Sequence, residues 1–225
     1  MTLLRSLLFN ALFFGLTAIA GVLLLPLLLG PRRWSREAMR IWSRTMLVLL
    51  RAVAGIRLEV TGREHLPPGA ALIASRHESA FDTLVWFALV PDVAYVMKQE
   101  LFLVPVYGLW ARRTGHVGVD RAGGMKAVRA LIRDGKAALD SGRQLVIFPE
   151  GTRAAPGVAA RVQPGVVALA QATGQPVVPV RTDSGLCWPR RSFLKRPGVI
   201  HVAIQPPLHG KERLAERLAE AISPR

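Results

Sequence analysis

The chain has 225 residues, of which 30 are lysine or arginine and 15 are aspartate or glutamate, so its formal net charge at pH 7 is +15. This length holds one domain with a sizeable core plus a modest appendage, and the basic excess favours anionic partners: phosphate esters, acidic lipid surfaces, acidic carrier proteins or nucleic acid. The single cysteine, Cys187, excludes an intrachain disulfide and a thiolate cluster for a structural metal.

The N-terminal stretch 6–30 contains no charged residue. A helix of this length, at about 1.5 Å per residue, could cross or deeply enter a bilayer core of about 30 Å. The alternative is a cleaved signal peptide, with Arg5 as its charged end and Ala18-Ile19-Ala20 as the cleavage signature. The apolar run continues past that signature, which favours a membrane anchor.

Basic residues follow the apolar run, at Arg32, Arg33, Arg36, Arg40 and Arg44. By the positive-inside rule they place the rest of the chain on the cytoplasmic side, in a bacterial-type inner membrane. A second helix is predicted over 36–53, and its apolar face could lie on an anionic membrane surface, on the domain core or on both. We therefore expect an N-terminal two-helix membrane-associating segment over residues 1–55.

After residue 55 the pattern predicts an α/β domain over residues 56–225, a mixed sheet covered by helices. The β-rich runs are 56–61, 70–75, 93–97, 115–119, 144–148, 177–181 and 199–205. Helical patterns cover 79–90, 125–139, 166–173 and 211–222. The Ala/Gly-rich connection 153–161 is expected to be mobile.

His77 and Asp82 lie where the strand 70–75 leads into a helix. A neutral imidazole can accept a proton from a hydroxyl, while a carboxylate holds its other ring nitrogen in the required tautomer. The structural alternative is a capping box over Ser79 to Asp82. Glu78 is expected to be solvated, and backbone amides at the first helical turn are candidate donors to an oxyanion.

The strand 144–148 runs directly into a turn that exposes a carboxylate, a hydroxyl and a guanidinium, at Glu150, Thr152 and Arg153. Open α/β sheets bind ligands at the carboxyl ends of their strands. Gly151 permits a close backbone approach, and Arg153 can grip a phosphate with a bidentate fork. This turn is therefore a candidate anion site.

The sequence from His77 to Asp82, followed by FPEGTR at 148–153, resembles the PlsC-type 1-acylglycerol-3-phosphate acyltransferases, a family of lysophospholipid acyltransferases. The segment GHVGVDR, which ends at Arg121, resembles the family's second block, and VVPV at 177–180 resembles its fourth. Lys98 resembles a lysine that lies near the substrate phosphate. The resemblance covers 56–181, and one departure is Arg76, where many members carry asparagine.

The resemblance implies transfer of a fatty acyl group from an acyl thioester, of acyl carrier protein or coenzyme A, to the sn-2 hydroxyl of 1-acyl-sn-glycerol 3-phosphate. The product is phosphatidic acid for phospholipid synthesis. It implies His77 as general base and Asp82 as its orienting partner. The implied substrate-binding residues are Lys98, Arg121, Glu150, Gly151, Thr152 and Arg153.

The thioester is a co-substrate, so neither a cofactor nor a metal is expected. The expected partners are a lysophospholipid acceptor, the carrier protein or coenzyme A donor, and an anionic membrane surface, but no nucleic acid. A related acyltransferase acting on glycerol 3-phosphate or another lysolipid remains an alternative. A basic membrane- or nucleic-acid-binding module without catalysis is the alternative from another class. The chain has no G-x-S-x-G or Walker-type sequence, which argues against a serine hydrolase and a phosphate-loop nucleotidase.

Overall fold

The computed structural model describes residues 1–224, so the last residue of the predicted domain, Arg225, lies outside the described residues. The helices are α1 Thr2–Leu23, α2 Arg32–Leu49, α3 Phe81–Leu89, α4 Tyr107–Thr114, α5 Gly124–Asp140, α6 Pro164–Thr173, α7 Ser184–Cys187 and α8 Leu214–Ile222. The strands are β1 Ile56–Thr61, β2 Ala71–Ser75, β3 Val93–Lys98, β4 Val117–Val119, β5 Gln144–Ile147, β6 Val177–Thr182 and β7 Gly198–Ile204.

The seven strands form one sheet in the order β1-β7-β6-β2-β5-β3-β4. All neighbours are parallel except β6 and β7, which are antiparallel. Strands β2 and β5 are buried along their whole length, as expected for central parallel strands covered by helices on both faces. The predicted mixed α/β sheet is confirmed, whereas helix α4 was not predicted.

Helix α1 has 22 residues and a mean hydropathy of 2.0 in its most apolar window, so it is long and apolar enough to cross a membrane. Most of its surface is exposed, but Phe9 is fully buried in the same core cluster as Leu50 and Ile56. The helical region ends at Gly55, whose φ of +69° favours glycine. Residues on both sides of residue 55 belong to this one core cluster. The predicted domain boundary at residue 55 remains a prediction.

An ion pair of Arg36 attaches helix α2 to Asp92, the residue before β3. The Arg36 Nη1 atom lies 2.5 Å from Asp92 Oδ2, and the buried Arg143 binds the other oxygen of Asp92 at 3.1 Å. Met46 of α2 packs into the core, while Ile41 and Val48, on roughly the opposite face of the helix, remain exposed. The helix therefore packs on the domain and leaves apolar surface uncovered.

Candidate active site

Four adjacent parallel strands bring the predicted site residues to one edge of the sheet. His77 follows β2, the turn 149–153 follows β5, Lys98 ends β3, and Arg121 follows β4. The carboxyl ends of parallel strands meet at the same edge, where open α/β sheets place their ligand sites. Residues far apart in sequence are therefore neighbours here.

His77 and Asp82 are in contact, as the motif predicts. The His77 Nδ1 atom lies 3.2 Å from Asp82 Oδ2, and the imidazole is mostly buried, with 12% of the side chain exposed. An ionised carboxylate only accepts hydrogen bonds, so a neutral His77 must carry its proton on Nδ1. Its Nε2 atom is then unprotonated and can accept a proton.

Asp82 also caps helix α3 with the oxygen that faces the imidazole. Its Oδ2 atom accepts hydrogen bonds from the backbone N–H groups of Glu78, at 2.7 Å, and Ser79, at 2.8 Å. One carboxylate therefore makes both the contacts expected of the capping alternative and the contact expected of the catalytic hypothesis. Because both amides are occupied, they are not free to bind an oxyanion, which corrects that expectation for Glu78 and Ser79.

The ring of Phe148 stacks on His77, with ring centroids 4.1 Å apart and planes inclined by 21°. Phe148 in turn stacks on Tyr95, at 6.0 Å. Stacking on one face restricts rotation of the imidazole. The nitrogen atoms at its edge remain available, Nδ1 to Asp82 and Nε2 to a bound molecule. The aromatic residue that opens FPEGTR is the sequence signal that could have identified this role.

Glu150 lies beside the His77 backbone, and its Oε1 atom accepts the His77 N–H at 3.5 Å. The side chain is buried, and its Oε2 atom has no hydrogen-bond partner among residues 1–224. Burial raises the pKa of Glu150 to about 7 despite the opposing charge of Arg76. Gly151 follows at φ +69°, which allows its N–H to close a tight turn onto Phe148.

The three predicted cations differ in their surroundings: Arg153 is partly buried, whereas Lys98 and Arg121 are exposed. Burial lowers the pKa of the Arg153 guanidinium; the Asp82 carboxylate opposes this effect, and the nearby Arg190 adds to it. Lys98 is half exposed and forms an ion pair with Glu100 at 2.9 Å. Because this pair is in water, it is weak enough for a dianionic phosphate to displace.

Arg76 and Glu78 correct the expectation that Glu78 is solvated. The Arg76 Nε atom lies 2.6 Å from Glu78 Oε1, with 0% and 2% of the side chains exposed. Desolvation raises the pKa of Glu78, and its hydrogen bond with Arg76 opposes the rise. Arg76 also donates hydrogen bonds to the carbonyls of Ala155 and Val158, which lie in the connection 153–161; its predicted mobility remains a prediction.

A cavity of about 1300 Å³ connects these residues with the N-terminal helices. Its polar end contains His77, Lys98, Arg121, Glu150, Gly151, Thr152 and Arg153. Its apolar end is lined by residues of α1, α2 and α4 that include Phe13, Gly21, Trp42 and Trp110. The volume exceeds the roughly 300–1,000 Å³ of typical small-molecule pockets. The cavity can hold an anionic group and a long apolar chain together.

No group of three or more His, Cys, Asp or Glu side chains suited to a metal ion occurs within residues 1–224. His116, which also lines the cavity, accepts the N–H of Tyr95 through Nδ1. Its burial lowers its pKa to about 3. His116 therefore stays neutral and has a structural role.

The comparisons with known proteins agree with this architecture. The family model described as Acyltransferase matches residues 57–183. The 1-acyl-sn-glycerol-3-phosphate acyltransferase of Pseudomonas aeruginosa is 34% identical over 185 residues, 82% of this chain and 72% of the relative. The enzyme of the same name from Limnanthes alba is 28% identical over 92% of this chain and 74% of the relative.

The crystal structure of the 1-acyl-sn-glycerophosphate acyltransferase PlsC from Thermotoga maritima superimposes with a TM-score of 0.81 at 22% identity. The match covers 99% of this chain and 95% of that protein, so the two share a fold that includes the N-terminal helices. The family model covers more than half of the sequence, and the Pseudomonas relative is similar over most of its length. The chain therefore belongs to the acyltransferase family.

Proposed function

We propose that this chain acylates the sn-2 hydroxyl of 1-acyl-sn-glycerol 3-phosphate and so produces phosphatidic acid. The curated relatives bear the name of this activity, and the chain covers more than 70% of the first of them. The observation that carries the proposal is the His77–Asp82 pair, which opens into a cavity with cations at one end and apolar walls at the other. An acceptor with a phosphate and a fatty chain matches both ends.

The reaction follows from the geometry of His77. Its unprotonated Nε2 accepts the proton of the acceptor hydroxyl as the oxygen attacks the thioester carbon. The Asp82 carboxylate stabilises the imidazolium through the Nδ1–H bond, and this contact is already formed in the free protein. Collapse of the tetrahedral intermediate breaks the carbon–sulfur bond, and the imidazolium returns its proton to the leaving thiolate. No covalent enzyme intermediate is needed, because a thioester is already activated.

Lys98, Arg121 and Arg153 act in this proposal as the phosphate-binding cations. Each follows or ends a strand at the same sheet edge as His77, and all three line the cavity. Arg153 is the most sheltered of the three and has a guanidinium suited to two parallel hydrogen bonds with phosphate. Glu150, Gly151 and Thr152 form the turn against which the glycerol backbone would rest.

Helix α1 is proposed to enter the bilayer without crossing it. Near its start, Asn10 donates a hydrogen bond of 2.8 Å to the carbonyl of Phe193 in the α/β domain. Near its end, the carbonyl of Gly21 accepts a hydrogen bond of 2.9 Å from Trp110. A helix that lies against the domain at both ends cannot extend away from it through both leaflets. The cavity, which α1 helps to line, then opens where a lysolipid resides.

The test is acyl transfer from a labelled thioester to a panel of acceptors: 1-acyl-sn-glycerol 3-phosphate, glycerol 3-phosphate, a phosphate-free monoacylglycerol and a lysophospholipid with a substituted phosphate. We expect the first acceptor to give the highest kcat/KM with both donors tested, acyl carrier protein and coenzyme A. Preference for glycerol 3-phosphate would contradict the proposal. So would equal rates with the phosphate-free acceptor.

A further inference from the structure

The segment 186–196 exposes apolar side chains that the catalytic cavity does not use. Leu186 is 54% exposed, Phe193 73% and Leu194 40%. These side chains do not line the cavity described above. Exposing one Phe and two Leu side chains to water within nine residues costs free energy, unless an apolar partner or a lipid covers them.

The segment is held rigidly against the N-terminal half of α1. The Lys195 N–H donates to Ser6 Oγ at 2.9 Å, and Ser6 Oγ lies 3.3 Å from the Lys195 carbonyl. The ring of Trp188 meets Phe9 edge to face, with centroids 5.4 Å apart. Ser6 is buried, and its hydroxyl donates to the Thr2 carbonyl of its own helix at 2.7 Å while its oxygen accepts the Lys195 N–H of the segment. Helix and segment therefore form one unit.

Cations flank the exposed apolar side chains. Arg190, Arg191 and Arg196 are exposed, and none of them forms an ion pair within residues 1–224. Lys195 is buried instead, with Nζ 4.9 Å from the centre of the Trp188 ring. Apolar side chains beside exposed arginines are the pattern of a surface that enters the headgroup region of an anionic bilayer.

We propose that the segment 186–196 inserts its Leu186, Phe193 and Leu194 side chains into an anionic membrane next to α1. The occupant is inferred from continuity with α1 and from the charge of the flanking arginines. The Arg190 Nη1 atom donates a hydrogen bond of 2.9 Å to the carbonyl of Arg153. Docking of the segment therefore fixes the phosphate-binding end of the cavity at headgroup depth. The inference rests on the membrane association proposed above.

A site-specific probe tests the insertion directly. Cys187 is the single cysteine and is buried, so Cys187→Ala provides a background for labelling. In this background, Phe193→Cys carries an environment-sensitive dye, and Glu212→Cys, at an exposed site on the far C-terminal part of the chain, is the control. Both full-length proteins are mixed with vesicles of phosphatidylcholine containing phosphatidylglycerol. We expect the dye at residue 193 to brighten and shift to shorter wavelength, and the dye at residue 212 to stay unchanged.

An unchanged signal at residue 193, while the protein sediments with the vesicles, would overturn the inference. A signal that rises with protein concentration in the absence of lipid would also overturn it, because a second copy would then cover the surface. Failure of the full chain to bind vesicles at all would remove both this inference and the membrane association. Acyl transfer to detergent-dispersed lysophosphatidate is measured separately and would still report on the proposed function.

The charge contribution has its own comparison. Arg191→Gln/Arg196→Gln is compared with Lys211→Gln/Arg217→Gln, which changes the net charge equally at another exposed place. One basic residue near an anionic surface contributes roughly fivefold to binding, so the first variant should bind phosphatidylglycerol vesicles roughly 25-fold more weakly. Screening beyond about 10 Å at 0.1 M salt should leave the second variant close to wild type. Equal losses in the two variants would contradict the assignment.

Discussion

The buried Arg76–Glu78 pair gives the sharpest prediction about stability. Arg76→Met leaves Glu78, 2% exposed, without its cation. Removing one partner of a buried ion pair costs about 3–5 kcal/mol, because the remaining charge stays desolvated. For a chain of this size about 2–4 °C is lost per kcal/mol, so the melting temperature should fall by roughly 6–20 °C. Circular dichroism of the detergent-solubilised protein measures this change.

The double variant Arg76→Met/Glu78→Leu separates the buried charge from the lost contacts. It contains no uncompensated charge, so most of the lost stability should return. Like the single variant, it lacks the hydrogen bonds from Arg76 to the carbonyls of Ala155 and Val158, which follow Arg153 in the chain. Both variants should therefore have a raised KM for the phosphate-bearing acceptor. A double variant as unstable as the single one would refute the explanation by buried charge.

The pH dependence of Arg76→Met gives a second check on the same pair. Burial already raises the pKa of Glu78, and the bond with Arg76 opposes that rise. Without Arg76 the pKa of Glu78 rises further above its value in the unfolded chain, so the folded state favours the protonated form. Stability from such a group is present at low pH and is lost as the pH rises. The loss of stability in Arg76→Met should therefore be larger at pH 8 than at pH 5, and equal losses would contradict the reasoning.

Three further changes test the site. Arg153→Ala should raise KM for the phosphate-bearing acceptor by roughly 10- to 100-fold with a small change in kcat. The exposed control Arg133→Ala should leave both KM and kcat unchanged. An equal rise in KM for a phosphate-free acceptor would contradict the phosphate-binding role of Arg153. The pKa of Glu150 is about 7 in the folded protein and 4.5 in the unfolded chain. The free energy of unfolding should therefore fall by roughly 3 kcal/mol between pH 4.5 and 7. Glu150→Gln should make this pH dependence weaker. Phe148→Leu should lower kcat by roughly 2- to 10-fold, because the leucine packs less closely on His77. The unfolding temperature of the variant is measured as a control for its stability. An unchanged kcat would contradict a positioning role for Phe148.

Most regular elements, and the sheet edge at which the candidate site lies, could be predicted from local sequence, whereas the short helices α4 and α7 could not. Short β-rich runs between turn residues predicted all seven strands. The runs of the central strands β2 and β5 are continuously apolar because both faces are covered, whereas β1 alternates buried and exposed residues. The position of His77 after β2 and of Glu150 to Arg153 after β5 followed from the same pattern. Their convergence follows from the parallel arrangement, since neighbouring parallel strands end at one edge.

The buried ion pair could not be predicted in this way. A glutamate is almost never fully buried without a partner, so solvent exposure was the reasonable expectation for Glu78. Its partner Arg76 is two residues away, but the groups that complete the cluster are distant: Gly185 donates its N–H to Glu78, and Ala155 and Val158 accept from Arg76. Such contacts depend on how loops pack. No periodicity in the chain encodes them.

The double role of Asp82 was also hidden from the sequence. The capping box and the base-orienting carboxylate were competing explanations for one residue, and Oδ2 makes the contacts that both require. Asp82→Asn should therefore impair folding and turnover together, which makes it a poor test of the chemistry. His77 has no comparable structural duty, since its imidazole makes a single hydrogen bond within residues 1–224.

The most direct test of the central claim is the initial rate of acyl transfer to 1-acyl-sn-glycerol 3-phosphate by His77→Ala. Loss of general-base catalysis should lower kcat by roughly 100- to 10,000-fold, while vesicle binding and the circular dichroism spectrum stay those of the unmodified protein. A folded, membrane-bound His77→Ala protein with a rate close to wild type would contradict the account.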